Sequence, residues 1–242
     1  MSLTPEIQKK IEEWTQPPYG DDCISEIKQL IETNNEKELN ERFGADMEFG
    51  TGGLRGLIRN GTNGMNIYVI AKATQGLANY VKQAGFSNPK AVIAYDSRKF
   101  SYEFAKETAR VFASNGIKAY IFESLRPTPE LSYAVRKLGC ATGVVVTASH
   151  NPKEYNGYKV YWDDGSQVIS PHDKNIIAEV QKITSLEMVA RKDENELESN
   201  GMIEWIGKEI DDAFIDEILK ININTEMLQG NDIKIVFTPL HG

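Results

Sequence analysis

Two strand-like runs separated by about ten residues are the feature that most restricts how this chain can fold. Residues 143–146 are wholly apolar, whereas residues 158–162 alternate between apolar and polar side chains. The intervening segment is too short for the crossover helix that a parallel pair needs, so the two strands are predicted to pair antiparallel around a wide loop. This arrangement places Ser149 at the loop tip and Lys159 near the loop base.

The rest of the region alternates strands with amphipathic helices. Strands are predicted at residues 91–95 and 119–122, and helices at about 66–84, 102–114 and 127–138. Such alternation predicts βαβ units with right-handed crossovers. The predicted fold class is therefore α/β: a three-layer α/β/α domain with a mixed four-stranded sheet, three strands parallel and the Lys159 strand antiparallel. Ligands collect at the carboxyl ends of strands in such sheets, where Asp96, Arg98 and Ser149 all lie.

The predicted domain organisation has two parts. Residues 1–203 form the first domain, with a helical lead-in over residues 4–43 and a charged, solvated linker over 185–200. Residues 204–242 begin a second α/β domain, with a helix at about 211–220 and a strand at 233–237. A helix and a strand cannot bury their own faces, so we expect the sequence to stop early in that second unit.

The charge and cysteine content narrow the functional classes. The 242 residues carry a formal net charge of −8, which argues against non-specific binding to nucleic acid or to an anionic membrane. The two cysteines form neither a disulfide framework nor a metal-binding spacing, and no long apolar run or signal-peptide pattern occurs. We therefore expect a cytoplasmic globular protein with no nucleic-acid or membrane partner.

A glycine-rich stretch and the serine loop are the candidate site segments. Four glycines within residues 49–56 let the backbone bend tightly and approach a ligand, and Arg55 adds a planar phosphate-binding group. Alone, this stretch is also typical of a plain turn, and it is not a P-loop. Ser149 likewise lies in a turn-forming cluster, and it lacks the flanking glycines of a hydrolase nucleophile elbow.

Taken together, three motifs carry a family resemblance. T-A-S-H-N-P at residues 147–152, followed by Y-N-G-Y-K at 155–159, resembles the phosphoserine loop of the α-D-phosphohexomutases, which include phosphoglucomutase and phosphomannomutase. F-G-T-G-G-L-R-G at residues 49–56 is similar to the family's F-G-T-x-G-x-R-G, especially in the bacterial phosphoglucomutase branch and its animal relatives. D-S-R at residues 96–98 is a third match.

The resemblance implies a role for each matching residue. Ser149 would carry the phosphoryl group and contact a Mg²⁺ ion, and Arg98 would support the loop, although Arg98 also fits a surface pair with Asp96. Arg55, Lys159 and His150 are the candidate catalytic cations, with Lys159 as proton acceptor if burial lowers its pKa. The candidates for binding substrate phosphate are Arg55, Thr51, Gly52, Arg98, Asn151 and Lys159.

The implied reaction interconverts hexose 1-phosphate and hexose 6-phosphate, glucose first, through a phosphoserine enzyme and a hexose 1,6-bisphosphate. Glucose 1,6-bisphosphate would be the activator. A phosphomannomutase, phosphopentomutase or bisphosphate synthase of the same family, and a non-catalytic sugar-phosphate binding module, remain alternatives. The family's metal loop, Asp-Gly-Asp-x-Asp-Arg, does not occur in these residues. We therefore expect this chain alone to be inactive and to need the missing C-terminal domains as partners.

Overall fold

A computed structural model describes residues 3–50, 52–221, 223, 226, 230, 232 and 234–238. Within these residues, no helix is both long enough and apolar enough to cross a membrane. The chain forms a mixed sheet with helices on both faces. The predicted α/β/α layering is therefore confirmed.

The sheet contains six strands in the order β1-β5-β4-β2-β3-β6 among the described residues. Their bounds are Gly53–Leu57 (β1), Lys90–Tyr95 (β2), Lys118–Phe122 (β3), Thr142–Val146 (β4), Tyr155–Trp162 (β5) and Ile203–Ile206 (β6). Strands β4, β2, β3 and β6 are parallel, and β5 is antiparallel to both of its neighbours. The antiparallel pairing across the serine loop is confirmed, whereas the predicted count of four strands is wrong because each edge carries one more.

Nine α-helices complete the described part of the fold. They are Pro5–Trp14 (α1), Asp21–Glu32 (α2), Glu36–Phe43 (α3), Ile67–Gln83 (α4), Ser101–Ser114 (α5), Thr128–Lys137 (α6), His172–Gln181 (α7), Glu194–Ser199 (α8) and Lys208–Lys220 (α9). Helices α4, α5 and α7 cover one face of the sheet over the largest hydrophobic core. Helices α6 and α9 lie over the other face, and α1–α3 pack against α4 through a second core that includes Trp14 and Phe43.

The predicted solvated linker at 185–200 is wrong. A short 3₁₀ helix at Leu186–Met188 and helix α8 lie in this segment, and Leu186, Val189 and Leu197 are buried. The segment is also fixed to α5, where the guanidinium of Arg191 lies 2.7 Å from the buried carboxylate of Glu107. The sequence did not predict this because the three buried apolar residues have no regular spacing and lie among many charged residues.

The predicted domain boundary between residues 203 and 204 also needs correction, because it falls inside β6. This strand pairs with β3 in the same sheet. Helix α9 then packs on α6, where the Tyr133 hydroxyl donates to the Ala213 carbonyl at 3.1 Å and Ile210 is buried. Arg126, which precedes α6, donates to both carboxylate oxygens of Asp211 at 2.6 and 2.7 Å. The predicted strand at 233–237 lies partly outside the described residues, and residues 234–237 have no regular secondary structure.

Candidate active site

The serine loop connects β4 to β5 and begins with a tight turn. The carbonyl of Ala148 accepts a hydrogen bond from the Asn151 N–H at 3.1 Å, which places Ser149 and His150 at the two central positions. Ser149 has φ of 54°, in the left-handed region that side chains other than glycine rarely adopt. The N–H of Ser149 donates to the hydroxyl of Thr147 at 3.0 Å. The predicted position of Ser149 at a loop tip is thereby confirmed.

The guanidinium of Arg98 fixes the backbone of this loop from beneath. One terminal nitrogen, Nη2, donates to the carbonyls of Ser149 and Asn151, both at 2.6 Å. The other, Nη1, donates to the carbonyls of Pro152 and Tyr155 at 2.8 and 3.0 Å. A planar fork suits this task because it holds four acceptors at fixed relative positions. The Arg98 side chain is therefore buried under the loop; its predicted pairing with Asp96 is present, but beneath the loop and not at the surface.

A small polar network holds Arg98 in place. Asp96 accepts hydrogen bonds from the Arg98 N–H at 3.0 Å and the Ser101 hydroxyl at 2.7 Å, and its other oxygen lies 3.3 Å from Arg98 Nε. The side chain of Asn156, fully buried on β5, donates to Ser101 Oγ and to the Lys99 carbonyl at 3.0 and 3.1 Å. The end of β2, the start of α5 and the start of β5 are thus joined under the serine.

Arg55 and Lys159 lie on the same face of the sheet beside the loop. In the β1–β5 register Arg55 opposes Gly157 and Gly53 opposes Lys159, so the two cations are diagonal neighbours. Arg55 is exposed, and it donates to the side-chain oxygen of Asn151 at 3.2 Å. Neither cation has an ion-pair partner among the described residues, so both remain available to phosphate.

The environment of Lys159 lowers its pKa. Burial is the main cause, and the positive charge of Arg55 lowers the pKa further, while Asp96 acts in the opposite direction. A lowered pKa increases the fraction of neutral amine near neutral pH, and the neutral amine is the form that can accept a proton. The shift is in the direction that the predicted proton-acceptor role needs, and that role stays a prediction.

Two glycines allow the strands under the site to approach closely. Gly53 has φ of 137°, and a Cβ there would collide with the carbonyl oxygen of Tyr158. A Cβ on Gly157 would lie 2.5 Å from the carbonyl oxygen of Thr147. Gly53 and Gly56 thus belong to an edge strand pressed against β5, and the predicted bend lies just before it, where Gly50 and Gly53 exchange backbone hydrogen bonds at 2.8 and 3.2 Å.

The other predicted site residues are His150, Gly52 and Thr51, and they differ in exposure and in their contacts. His150 is exposed, and its Nδ1 lies 3.3 Å from Ser149 Oγ. Gly52 lies at the start of the β1 region, where its carbonyl accepts hydrogen bonds from the Val160 N–H at 3.0 Å and from Gln167 at 3.3 Å, so this carbonyl is already engaged. Thr51 lies outside the described residues.

The described residues do not form a magnesium site by themselves. No group of three or more His, Cys, Asp or Glu side chains comes together across the described ranges. Mg²⁺ requires near-octahedral oxygen coordination, and the carboxylate of Asp96 is engaged by Arg98 and Ser101. The assignment of Ser149 Oγ as a metal ligand therefore stays a prediction.

Sequence reasoning missed the supporting roles of Thr147, Ser101 and Asn156. Thr147 carries a local signal, because a hydroxyl two residues before a turn residue commonly caps that residue's N–H. Ser101 and Asn156 carry none, because they lie 55 residues apart and meet only in the folded chain.

Comparison with known proteins agrees with this geometry. The sequence pattern of the family "Phosphoglucomutase/phosphomannomutase, alpha/beta/alpha domain I" matches residues 46–187. A phosphopentomutase of Pongo abelii is 37% identical over 229 residues, which are 90% of this chain and 37% of the relative. A phosphoglucomutase of Staphylococcus saprophyticus is 34% identical over 216 residues, which are 89% of this chain and 38% of the relative. The chain thus spans about two fifths of the length of these relatives.

Solved structures have a similar fold. One from Thermus thermophilus matches with a TM-score of 0.53 and 30% identity, covering 61% of this chain and 31% of that one. A phosphoglucomutase/phosphomannomutase family protein of Burkholderia thailandensis matches with a TM-score of 0.54, covering 72% of this chain and 35% of that one; at 19% identity it supports the fold only. The chain belongs to the phosphoglucomutase/phosphomannomutase family.

Proposed function

We propose that the full-length protein is a sugar-phosphate mutase that moves a phosphoryl group between O1 and the primary hydroxyl of its substrate, with Ser149 as the carrier. The observation that supports this most strongly is the presentation of Ser149. The serine occupies a turn tip whose backbone is held by the Arg98 guanidinium through four carbonyls. Arg55 and Lys159, which have no ion-pair partner within the part of the chain that the structure describes, lie on the adjoining sheet face. Purely structural loops do not need this combination.

In the proposed reaction, phosphorylated Ser149 donates to the free hydroxyl of a sugar monophosphate. The Oγ–phosphorus bond breaks, the sugar oxygen forms the new bond to phosphorus, and the neutral amine of Lys159 takes the hydroxyl proton and passes it to the departing Ser149 Oγ. The resulting bisphosphate reorients and returns its other phosphoryl group to Ser149 Oγ, whose proton passes through Lys159 to the sugar oxygen that is released. Phosphoryl transfer needs mainly in-line positioning and neutralised phosphate oxygens, and Arg55 supplies the neutralising charge.

Two substrate classes fit the proposal. A hexose phosphate, glucose 1-phosphate first, follows from the sequence motifs and from relatives named phosphoglucomutase. A pentose 1-phosphate is the second candidate, because other relatives with 34–37% identity, including one from Homo sapiens, are named phosphopentomutase. The site residues of this chain act on the transferred phosphoryl group, so the choice between sugars depends on other parts of the full-length protein.

The auxiliary groups are part of the same proposal. A Mg²⁺ ion would contact Ser149 Oγ and would take its remaining ligands from outside the described residues, and a sugar 1,6-bisphosphate would prime the enzyme. We also propose the cytoplasm as the location, because Cys23 and Cys140 are free buried thiols, which suit a reducing compartment.

The test is a turnover assay of the full-length protein with glucose 1-phosphate, mannose 1-phosphate and ribose 1-phosphate, each primed with its bisphosphate. We expect turnover with at least one sugar, label from the bisphosphate on Ser149, and no turnover in Ser149→Ala. Turnover that survives in Ser149→Ala, or label on another residue, would contradict the proposal. Binding of sugar phosphates without any turnover would favour the non-catalytic binding module.

A further inference from the structure

The backbone of Ser149 adopts a conformation that needs local support. With φ of 54°, the serine is one of four residues other than glycine with positive φ in the described part of the chain. It occupies the first central position of its turn, and positive φ at that position is typical of glycine. A serine without support there relaxes toward negative φ, a rotation of about 110°, which carries its side chain away from the loop tip.

Thr147 supplies local support from two positions back. Its hydroxyl accepts the Ser149 N–H at 3.0 Å, and its own N–H donates to the Gly157 carbonyl at 3.0 Å, which fixes Thr147 to β5. Thr147 is only 6% exposed. Valine has the same shape and would suit such a buried position, so the hydroxyl is the group that distinguishes threonine at this point of the loop.

We propose that Thr147 is a positioning residue for phosphoryl transfer, whose hydroxyl holds Ser149 in the left-handed conformation that presents Oγ at the loop tip. The inference rests on the proposed function, because it requires Ser149 to be the phosphoryl carrier. The Arg98 fork binds carbonyl oxygens of the loop, whereas Thr147 binds the N–H of the serine itself. Thr147 therefore acts on the orientation of the nucleophile, in addition to the order of the loop.

The test compares Thr147→Val and Thr147→Ser in the full-length protein, by single-turnover transfer of labelled phosphate from the sugar 1,6-bisphosphate to Ser149. We expect transfer about tenfold slower in Thr147→Val, equal to about 1.4 kcal/mol, with KM for the sugar phosphate unchanged. Thr147→Ser keeps the acceptor and should remain within about twofold of the parent. Thr147→Ala, which adds no bulk, should be as slow as Thr147→Val, because both variants lack the hydroxyl.

Thr142→Val is the matched control, because Thr142 is a fully buried threonine at the other end of β4 whose hydroxyl donates to the Tyr161 carbonyl at 2.7 Å. It should lower the melting temperature and leave the transfer rate unchanged. Equal rates in Thr147→Val, Thr147→Ala and Thr142→Val would overturn the inference and leave the proposed function intact. The proposed function fails separately if Ser149→Ala still turns over.

Discussion

Removing the side chain of Arg98 should disable the serine loop with little change elsewhere. Arg98→Ala deletes four hydrogen bonds to the carbonyls of Ser149, Asn151, Pro152 and Tyr155. It also leaves Asp96 without its countercharge, in a place where the arginine side chain is only 4% exposed. The variant therefore perturbs the backbone of the loop and the electrostatics beneath it together.

The size of the effect follows from the contacts. A net hydrogen bond from a charged donor contributes about 1.5–3 kcal/mol, but the four do not add, because the carbonyls of an opened loop regain water. Removing one partner of a buried ion pair costs about 3–5 kcal/mol, and we expect a loss of stability in that range. Turnover should fall at least about 100-fold, because a disordered loop loses the alignment of Ser149 with its substrate.

The assay combines urea unfolding, hydrogen exchange of loop amides and turnover in the full-length protein. Arg98→Lys keeps the charge but offers one ammonium in place of a planar fork, so it should fall between the parent and Arg98→Ala. Arg136→Ala is the matched control, since Arg136 is exposed on α6 and its one side-chain hydrogen bond in the described structure is a 3.5 Å contact to the Ser132 carbonyl. Parent-like exchange and turnover in Arg98→Ala would refute the reasoning.

Three further predictions concern pH and packing. Arg55→Gln should raise the pKa of Lys159 toward its ordinary value, because it removes a nearby positive charge. In a pH–rate profile, the pH at which turnover begins to increase should therefore be higher in the variant than in the parent. The same profile in both proteins would contradict Lys159 as the base. Gly53→Ala should destabilise the protein by about 1–3 kcal/mol in urea unfolding, because its Cβ meets the Tyr158 carbonyl, and parent-like stability would contradict this. Burial raises the pKa of Glu130 to about 7, so the free energy of unfolding should fall as pH rises from about 5 to 7. Glu130→Gln should make the free energy of unfolding less dependent on pH over this range. An equal pH dependence in both proteins would contradict the prediction.

The interior strands could be predicted from sequence because burial on both faces gives continuous apolar runs. Strands β2, β3 and β4 are of this kind, and the short segment between β4 and β5 determines the antiparallel pairing of those two strands. The edge strands could not be predicted in this way. Strand β1 is rich in glycine and includes the exposed Arg55, and β6 has four residues, of which Glu204 and Trp205 are exposed. Their pairing is determined by contact with the neighbouring strand, and their own side-chain patterns do not show it.

The candidate site likewise contains residues that the sequence alone can indicate and residues whose contacts only the folded structure shows. The roles proposed for Ser149, Arg55 and Lys159 depend on their own side chains, so their residue types form a recognisable motif. Arg98 binds four backbone carbonyls, and every residue type has a backbone carbonyl, so these contacts do not affect which residues occur in the loop. The sequence therefore indicates that an arginine follows β2, but only the folded chain shows what it binds.

The position of the Ser149 hydroxyl depends on contacts from several strands and helices. Its N–H is held from the end of β4 by Thr147, and its carbonyl is held from the end of β2 by Arg98. Asp96, which orients Arg98, is in turn held by Ser101 at the start of α5. A left-handed serine is costly by itself, and each of these contacts offsets part of that cost only when the strands are in register. A shift of β4 against β2 would therefore misplace Ser149 before the sheet unfolds. If Ser149 is the phosphoryl carrier as proposed, loss of turnover should precede loss of secondary structure when the protein is titrated with urea.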